Sequence, residues 1–135
     1  MVIRGGSGLV IAEGRLGQMD EIVLWHNPRC SKSRAAAELL GDRATTRRYL
    51  EDPPTREELE HVLHLLGTED PRLIVRTGEP AYQGLEDASR DDLLDAMAAH
   101  PELVERPIAI KGDKAVVGRP PELVLSLTET GRDSA

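Results

Sequence analysis

Trp25-His26-Asn27-Pro28-Arg29-Cys30-Ser31-Lys32-Ser33-Arg34 is the stretch whose reading decides the fold. The apolar run leading into it, Ile22-Val23-Leu24-Trp25, is expected to form a buried strand. The run that follows, Ala35-Ala36-Ala37-Glu38-Leu39-Leu40, consists of strong helix formers. Asn27-Pro28 supplies a turn between the two. Cys30, the single cysteine of the chain, therefore falls where a strand ends and a helix begins. The unpaired N–H groups of a first helical turn and the positive end of its dipole point at that spot. Together they form an anion site and lower the pKa of a thiol placed there, so the nucleophilic thiolate is accessible near neutral pH. A free cysteine is commonly an inert core residue, but the strand–turn–helix position argues for a reactive one.

Composition narrows the function classes. The 135 residues suit one domain large enough for a real core. Aromatic residues are 2 % with no phenylalanine, so that core must be aliphatic. The net charge of −7, from 17 basic against 24 acidic residues, argues against nucleic-acid binding. A lone cysteine excludes an internal disulfide and fits a reducing, cytoplasmic setting. No apolar run approaches the ~20 residues of a membrane span, and a monomer is expected. Residues 1–18, with five glycines and little periodicity, read as a flexible arm or an extension before a start at Met19. Residues 19–135 read as the folded domain.

Further along, Gly41 can end the first helix, and Ala44 to Leu50 reads as a second strand. Thr55 with Glu58 forms a capping box ahead of a helix whose Leu59, Val62, Leu63 and Leu66 share one face. Asp70-Pro71 and Glu79-Pro80 open short helical turns, and Ser89 with Asp92 caps a helix carrying Leu93, Leu94 and Met97. The period then changes. Pro107 to Ile110 and Ala115 to Val117 read as a hairpin around Lys111-Gly112-Asp113-Lys114. Gly118-Arg119-Pro120-Pro121 opens a final helix through Leu123, Val124 and Leu127. The order β-α-β, helical insert, β-β-α makes an α/β fold with a mixed four-stranded sheet and helices on its faces.

The neighbours of Cys30 limit the chemistry. Ser33 stands where a Cys-x-x-Cys motif would place its second thiol, so any resolving thiol must come from outside the chain. Ala36 stands where a phosphatase loop would need an arginine, six positions after the cysteine. Arg34 lies in the first helical turn, and Arg76, Arg106 and Arg119 lie beside turn or proline signals. Guanidinium groups offer fixed, paired donors to a tetrahedral oxyanion, although on spacing alone surface arginines are the favoured reading of Arg76, Arg106 and Arg119. His26 could steady the thiolate or transfer protons. His61 and His64 fall off the apolar stripe of their helix and read as solvated, and no metal site is expected.

These residues, taken together, resemble the glutaredoxin-coupled arsenate reductase family. The resemblance rests on His26-Asn27-Pro28-x-Cys30, Arg76 with Glu79-Pro80-x-Tyr82, Arg106-Pro107-Ile108 and Gly118-Arg119-Pro120-Pro121-Glu122, in order from about Glu21 to Leu127. It looks closest to a shorter, arsenate-reductase-like branch. The resemblance implies a thioredoxin-like fold and a cis Arg106–Pro107 bond. It implies that Cys30 attacks the oxyanion, that Arg76, Arg106 and Arg119 bind it, and that His26 and Ser33 help lower the thiol pKa; Arg34, by its place in the first helical turn, is read as a further substrate-binding residue. It further implies arsenate as substrate, glutathione as co-substrate with no bound cofactor, and glutaredoxin or an equivalent thiol system as partner. Two other readings use the same residues: a glutathione-dependent thiol/disulfide transferase, and a non-enzymatic RNA-polymerase-binding stress regulator. Ser33 counts against the second, because its oxidation switch needs a Cys-x-x-Cys pair.

Overall fold

The computed structural model describes residues 21–128. The expected N-terminal arm and the residues after Thr128 lie outside the described part. Four strands, β1 (Ile22–His26), β2 (Ala44–Arg48), β3 (Ile108–Lys111) and β4 (Lys114–Val117), form one sheet in the order β2-β1-β3-β4. β1 runs parallel to β2, with Ile22 opposite Ala44 and His26 opposite Arg48. β3 is antiparallel to both β1 and β4. This is the mixed, thioredoxin-like arrangement expected from the sequence.

The alternation of the strands splits the core into two layers. Ile22 and Leu24 of β1 and Ala109 of β3 point to one face, where they meet Ala36 and Leu40 of α1 (Ser31–Leu40) with Val124 and Leu127. Trp25 of β1 and Ile108 of β3 point to the other face, beneath the helical insert. There α2 (Arg56–Leu65) contributes Leu59, Val62 and Leu63, and α3 (Arg90–Ala99) contributes Leu93, Leu94 and Met97. Both helix starts are as the sequence indicates. Thr55 and Glu58 form the reciprocal capping box, and the Ser89 side chain accepts from the Asp92 N–H. Arg56 ties α2 to α3 through Asp95 and Asp91 while also pairing with Glu60.

The C-terminal segment differs from expectation. Pro121–Thr128 is a 3₁₀ helix, not an α-helix. Its two buried residues, Val124 and Leu127, are three apart, and a threefold period eclipses such positions so that both face the sheet. Lys111 Nζ donates to the Leu127 carbonyl at 3.0 Å and holds the far end. The turns opened by Asp70-Pro71 and Glu79-Pro80 are likewise 3₁₀, over Pro71–Ile74 and Pro80–Tyr82. The Arg106–Pro107 bond is cis, as the resemblance implies, and so is Arg119–Pro120, which the sequence reading does not anticipate.

Candidate active site

β1 ends at His26, and the chain turns back on itself before α1. The Cys30 N–H donates to the Asn27 carbonyl at 3.0 Å, and the Arg29 N–H donates to Asn27 Oδ1 at 3.0 Å. Ser33, fully buried, receives the Asn27 N–H on its hydroxyl oxygen at 2.9 Å. That oxygen also lies 2.7 Å from His26 Nδ1. Strand end, turn and first helical turn are thus stitched together around the cysteine. Cys30 occupies the N-cap of α1 in extended conformation, without its thiol closing a capping hydrogen bond.

The thiol is part-buried, and burial alone would raise its pKa. The Ser33 backbone N–H, the Arg106 guanidinium and the Lys32 backbone N–H oppose that, and together they hold the pKa below its ordinary value. The Ser33 contribution comes through its N–H, while its hydroxyl serves His26 and Asn27. Burial, with the charges of Arg48 and Arg34, lowers the His26 pKa from 6.5, so the imidazole is neutral at pH 7. The Ser33 hydroxyl hydrogen is then the natural donor to Nδ1, which leaves the second ring nitrogen protonated.

The arginines arrive from three separate places. An isolated antiparallel bridge joins Val75 to Val104, flanked by Arg76 N–H to Leu103 carbonyl and Glu105 N–H to Ile74 carbonyl, each 2.7 Å. That bridge sets Arg76 beside Glu105 and Arg106. Arg119 follows β4, and its Nη1 donates to the Arg106 carbonyl at 2.9 Å. Two carboxylates cross-link the three guanidiniums. Glu79 Oε2 lies 3.3 Å from Arg76 Nε and 3.9 Å from Arg106 Nη1. Glu105 Oε1 lies 3.1 Å from Arg76 Nη1 and 3.4 Å from Arg119 Nη1. Arg106 Nε is buried with no hydrogen-bond partner among the described residues. A buried N–H without an acceptor is uncommon in a folded chain, and here it belongs to a guanidinium that also acts on the thiol.

A family model described as the ArsC family matches residues 25–127, a span that holds Cys30 and all three of these arginines. The chain belongs to the ArsC family. The arsenate reductase of Neisseria meningitidis serogroup A is 45% identical over 111 residues, covering 77% of this chain and 95% of that relative. The arsenate reductase of Haemophilus influenzae is 40% identical over 113 residues, covering 78% of this chain and 97% of the relative. Among solved structures, the arsenate reductase from Vibrio cholerae superposes with a TM-score of 0.74 at 40% identity, covering 79% of this chain and 97% of that one.

In this region the structure gathers Arg76, Arg106 and Arg119 through Glu79 and Glu105, and the Arg106 guanidinium lowers the Cys30 pKa. Arg34 stands apart from them. Its guanidinium donates to the Pro28 carbonyl at 2.8 Å and its charge acts on His26. It also lines an open groove with His26, Ser31, Ala35, Ala37 and Glu38. Glu105 and Tyr49 belong to the site's surroundings, although no motif singles them out. Tyr49 is fully buried just past β2, its hydroxyl 3.5 Å from the Val104 carbonyl, and its phenol senses Arg106, Arg76, Cys30 and Glu105. The available signals are an acid immediately before Arg106-Pro107 and a tyrosine in an otherwise polar strand end. No group of three or more His, Cys, Asp or Glu side chains that could hold a metal occurs among the described residues. No described helix is long and apolar enough to cross a membrane.

Proposed function

We propose that this chain is an arsenate reductase, with Cys30 as nucleophile and Arg76, Arg106 and Arg119 as the oxyanion-binding residues. The observation that carries the reading is the Arg106 side chain, which favours the Cys30 thiolate while its buried Nε lacks an acceptor. An oxyanion bound there would be held by the same guanidinium that favours the thiolate, and the relatives named arsenate reductase suggest the substrate. The thiolate attacks arsenic(V) and one oxygen leaves as water after protonation, giving a Cys30 sulfur–arsenic bond. Glutathione then condenses on arsenic with loss of a second water. A glutaredoxin thiol attacks the glutathione sulfur, so two electrons pass to arsenic and a mixed disulfide departs. Water finally cleaves the Cys30–arsenic(III) bond and releases arsenite. The lone cysteine makes an outside thiol system necessary, and neutral His26, steadied by Ser33, keeps the turn in shape.

The test is an assay coupled to NADPH through glutathione reductase, with glutathione and glutaredoxin supplied. NADPH oxidation should depend on arsenate and vanish in Cys30→Ser. Oxidation that ignores arsenate, or that survives this substitution, overturns the proposal. Arg106→Ala should lose activity on arsenate far more than on a glutathione mixed disulfide; equal loss on both would favour a thiol transferase.

A further inference from the structure

The two carboxylates inside the arginine cluster are not equivalent. Glu105 Oε1 accepts from Arg76 Nη1 and from the Arg106 backbone N–H, each at 3.1 Å, and lies 3.4 Å from Arg119 Nη1. A carboxylate has about four lone-pair sites over its two oxygens, so this oxygen is fully used. Glu79 Oε2 takes a single long bond, 3.3 Å from Arg76 Nε. It faces Arg106 Nη1 across 3.9 Å, too far for a hydrogen bond. Backbone bonds hold Glu79 in place: its own N–H reaches the Arg76 carbonyl at 3.3 Å, and the Tyr82 N–H reaches its carbonyl at 2.9 Å. Its side chain is 25% exposed, which shelters the carboxylate without sealing it off. Glu79 is thus an acceptor with capacity to spare, fixed between two guanidiniums of the oxyanion site.

Building on the oxyanion-binding reading above, we propose that Glu79 is a specificity-determining residue that accepts a hydrogen bond from a hydroxyl of the bound oxyanion. The site then takes tetrahedral oxyanions that keep a proton at neutral pH and rejects those that do not. An ionised carboxylate offers only lone pairs. Hydrogen arsenate and hydrogen phosphate carry an O–H that can lie between their oxygen and Glu79, while the arginines take the bare oxygens. Sulfate carries no proton, so its oxygen would meet the carboxylate lone pair to lone pair. A carboxylate in an anion site costs binding for every anion unless the anion donates to it, and that difference separates the two classes.

Protection of Cys30 from iodoacetamide, measured against increasing phosphate, arsenate or sulfate with no co-substrate thiol, reads out anion binding. Wild-type protein should be protected by phosphate and arsenate at concentrations about tenfold or more below those needed for sulfate. Glu79→Gln keeps the shape and adds an N–H donor, so sulfate should gain and the gap should close by about tenfold. Glu79→Ala removes the acceptor without adding a donor, and should also narrow the gap, by weakening phosphate. Glu105→Gln should shift all three anions together. Equal protection of wild type by sulfate and phosphate overturns the proposal, as does an unchanged ratio in both Glu79 variants. If phosphate and arsenate fail to protect wild type at all, the oxyanion reading falls and takes this one with it. If they protect, and turnover depends on arsenate, an unchanged ratio removes only the role of Glu79.

Discussion

Gly118 sits where β4 ends, buried, with its N–H donating to the Pro107 carbonyl at 2.8 Å. A Cβ added there would stand 2.8 Å from Val124 Cγ1 and 2.9 Å from Pro107 Cγ. Ordinary contact begins near 3.4 Å, so both neighbours would have to retreat by about half an ångström or more. Neither is free to do so. Val124 is fully buried between α1 and the sheet, and Pro107 is a rigid ring. Overpacking of this kind costs about 2 kcal/mol. For a domain of this size that corresponds to a fall in Tm of about 5–10 °C. The displacement also reaches the site, because Pro107 is bonded to Arg106 and Gly118 to Arg119. Gly118→Ala should therefore lower Tm in a calorimetric scan and, below the melting range, slow Cys30 alkylation at neutral pH. A Tm within about 2 °C of wild type would show that the neighbours accommodate a methyl group, and the close-packing argument for glycine here would be wrong.

In Arg106→Ala, the donor and charge that favour the thiolate are gone while the burial that opposes it stays. The iodoacetamide pH profile should shift upward, and the rate at neutral pH should fall by up to about tenfold, from ~1.5 kcal/mol, the low end for a charged hydrogen bond because Cys30 is only part-buried. An unmoved profile refutes the role. The folded pKa of Cys30 is depressed, so its contribution to stability is complete above the unfolded thiol pKa and is lost as pH falls through the folded value. Stability measured in urea against pH should show that loss in wild type and lack it in Cys30→Ser. Tyr49 is pushed up to about 12 by burial, with Arg106 and Arg76 acting against the rise. A raised value means stability present below the ordinary 10.0 and lost as pH climbs through about 12. Ultraviolet titration should find a phenol ionising near 12 that is missing in Tyr49→Phe; its absence from wild type would contradict the buried placement.

Local signals carried the fold because each was locally complete. The Thr55–Glu58 box and the Ser89 cap need only four consecutive residues, and Ile22 to Trp25 declares a strand without knowing its partners. The 3₁₀ helix at Pro121–Thr128 was less legible, since apolar residues three apart fit one face of an α-helix as well as of a 3₁₀ helix. At the site, the turn around Cys30 is contiguous in sequence and could be read directly. The arginine cluster depends on the Val75–Val104 bridge, a pairing 29 positions apart that no periodicity announces. Only the resemblance joined Arg76, Arg106 and Arg119. It left unassigned the two acids between them, because a glutamate beside an arginine usually signals an exposed ion pair of little consequence.

Those acids change how the site must work. Three guanidiniums held together repel one another. Glu79 and Glu105 each touch two arginines, and Arg76 touches both acids, so the repulsion is offset and the forks are fixed before any substrate arrives. The offset removes most of the surplus charge that would otherwise attract anions. With two carboxylates in place, the three guanidiniums keep a single surplus positive charge, in a chain whose overall charge is −7. On the proposed oxyanion-binding reading, selection then falls chiefly to short-range donors held in register, among them the Arg106 guanidinium that also acts on the Cys30 thiol. A site built this way should lose function through small displacements of Arg106 more than through removal of distant surface cations.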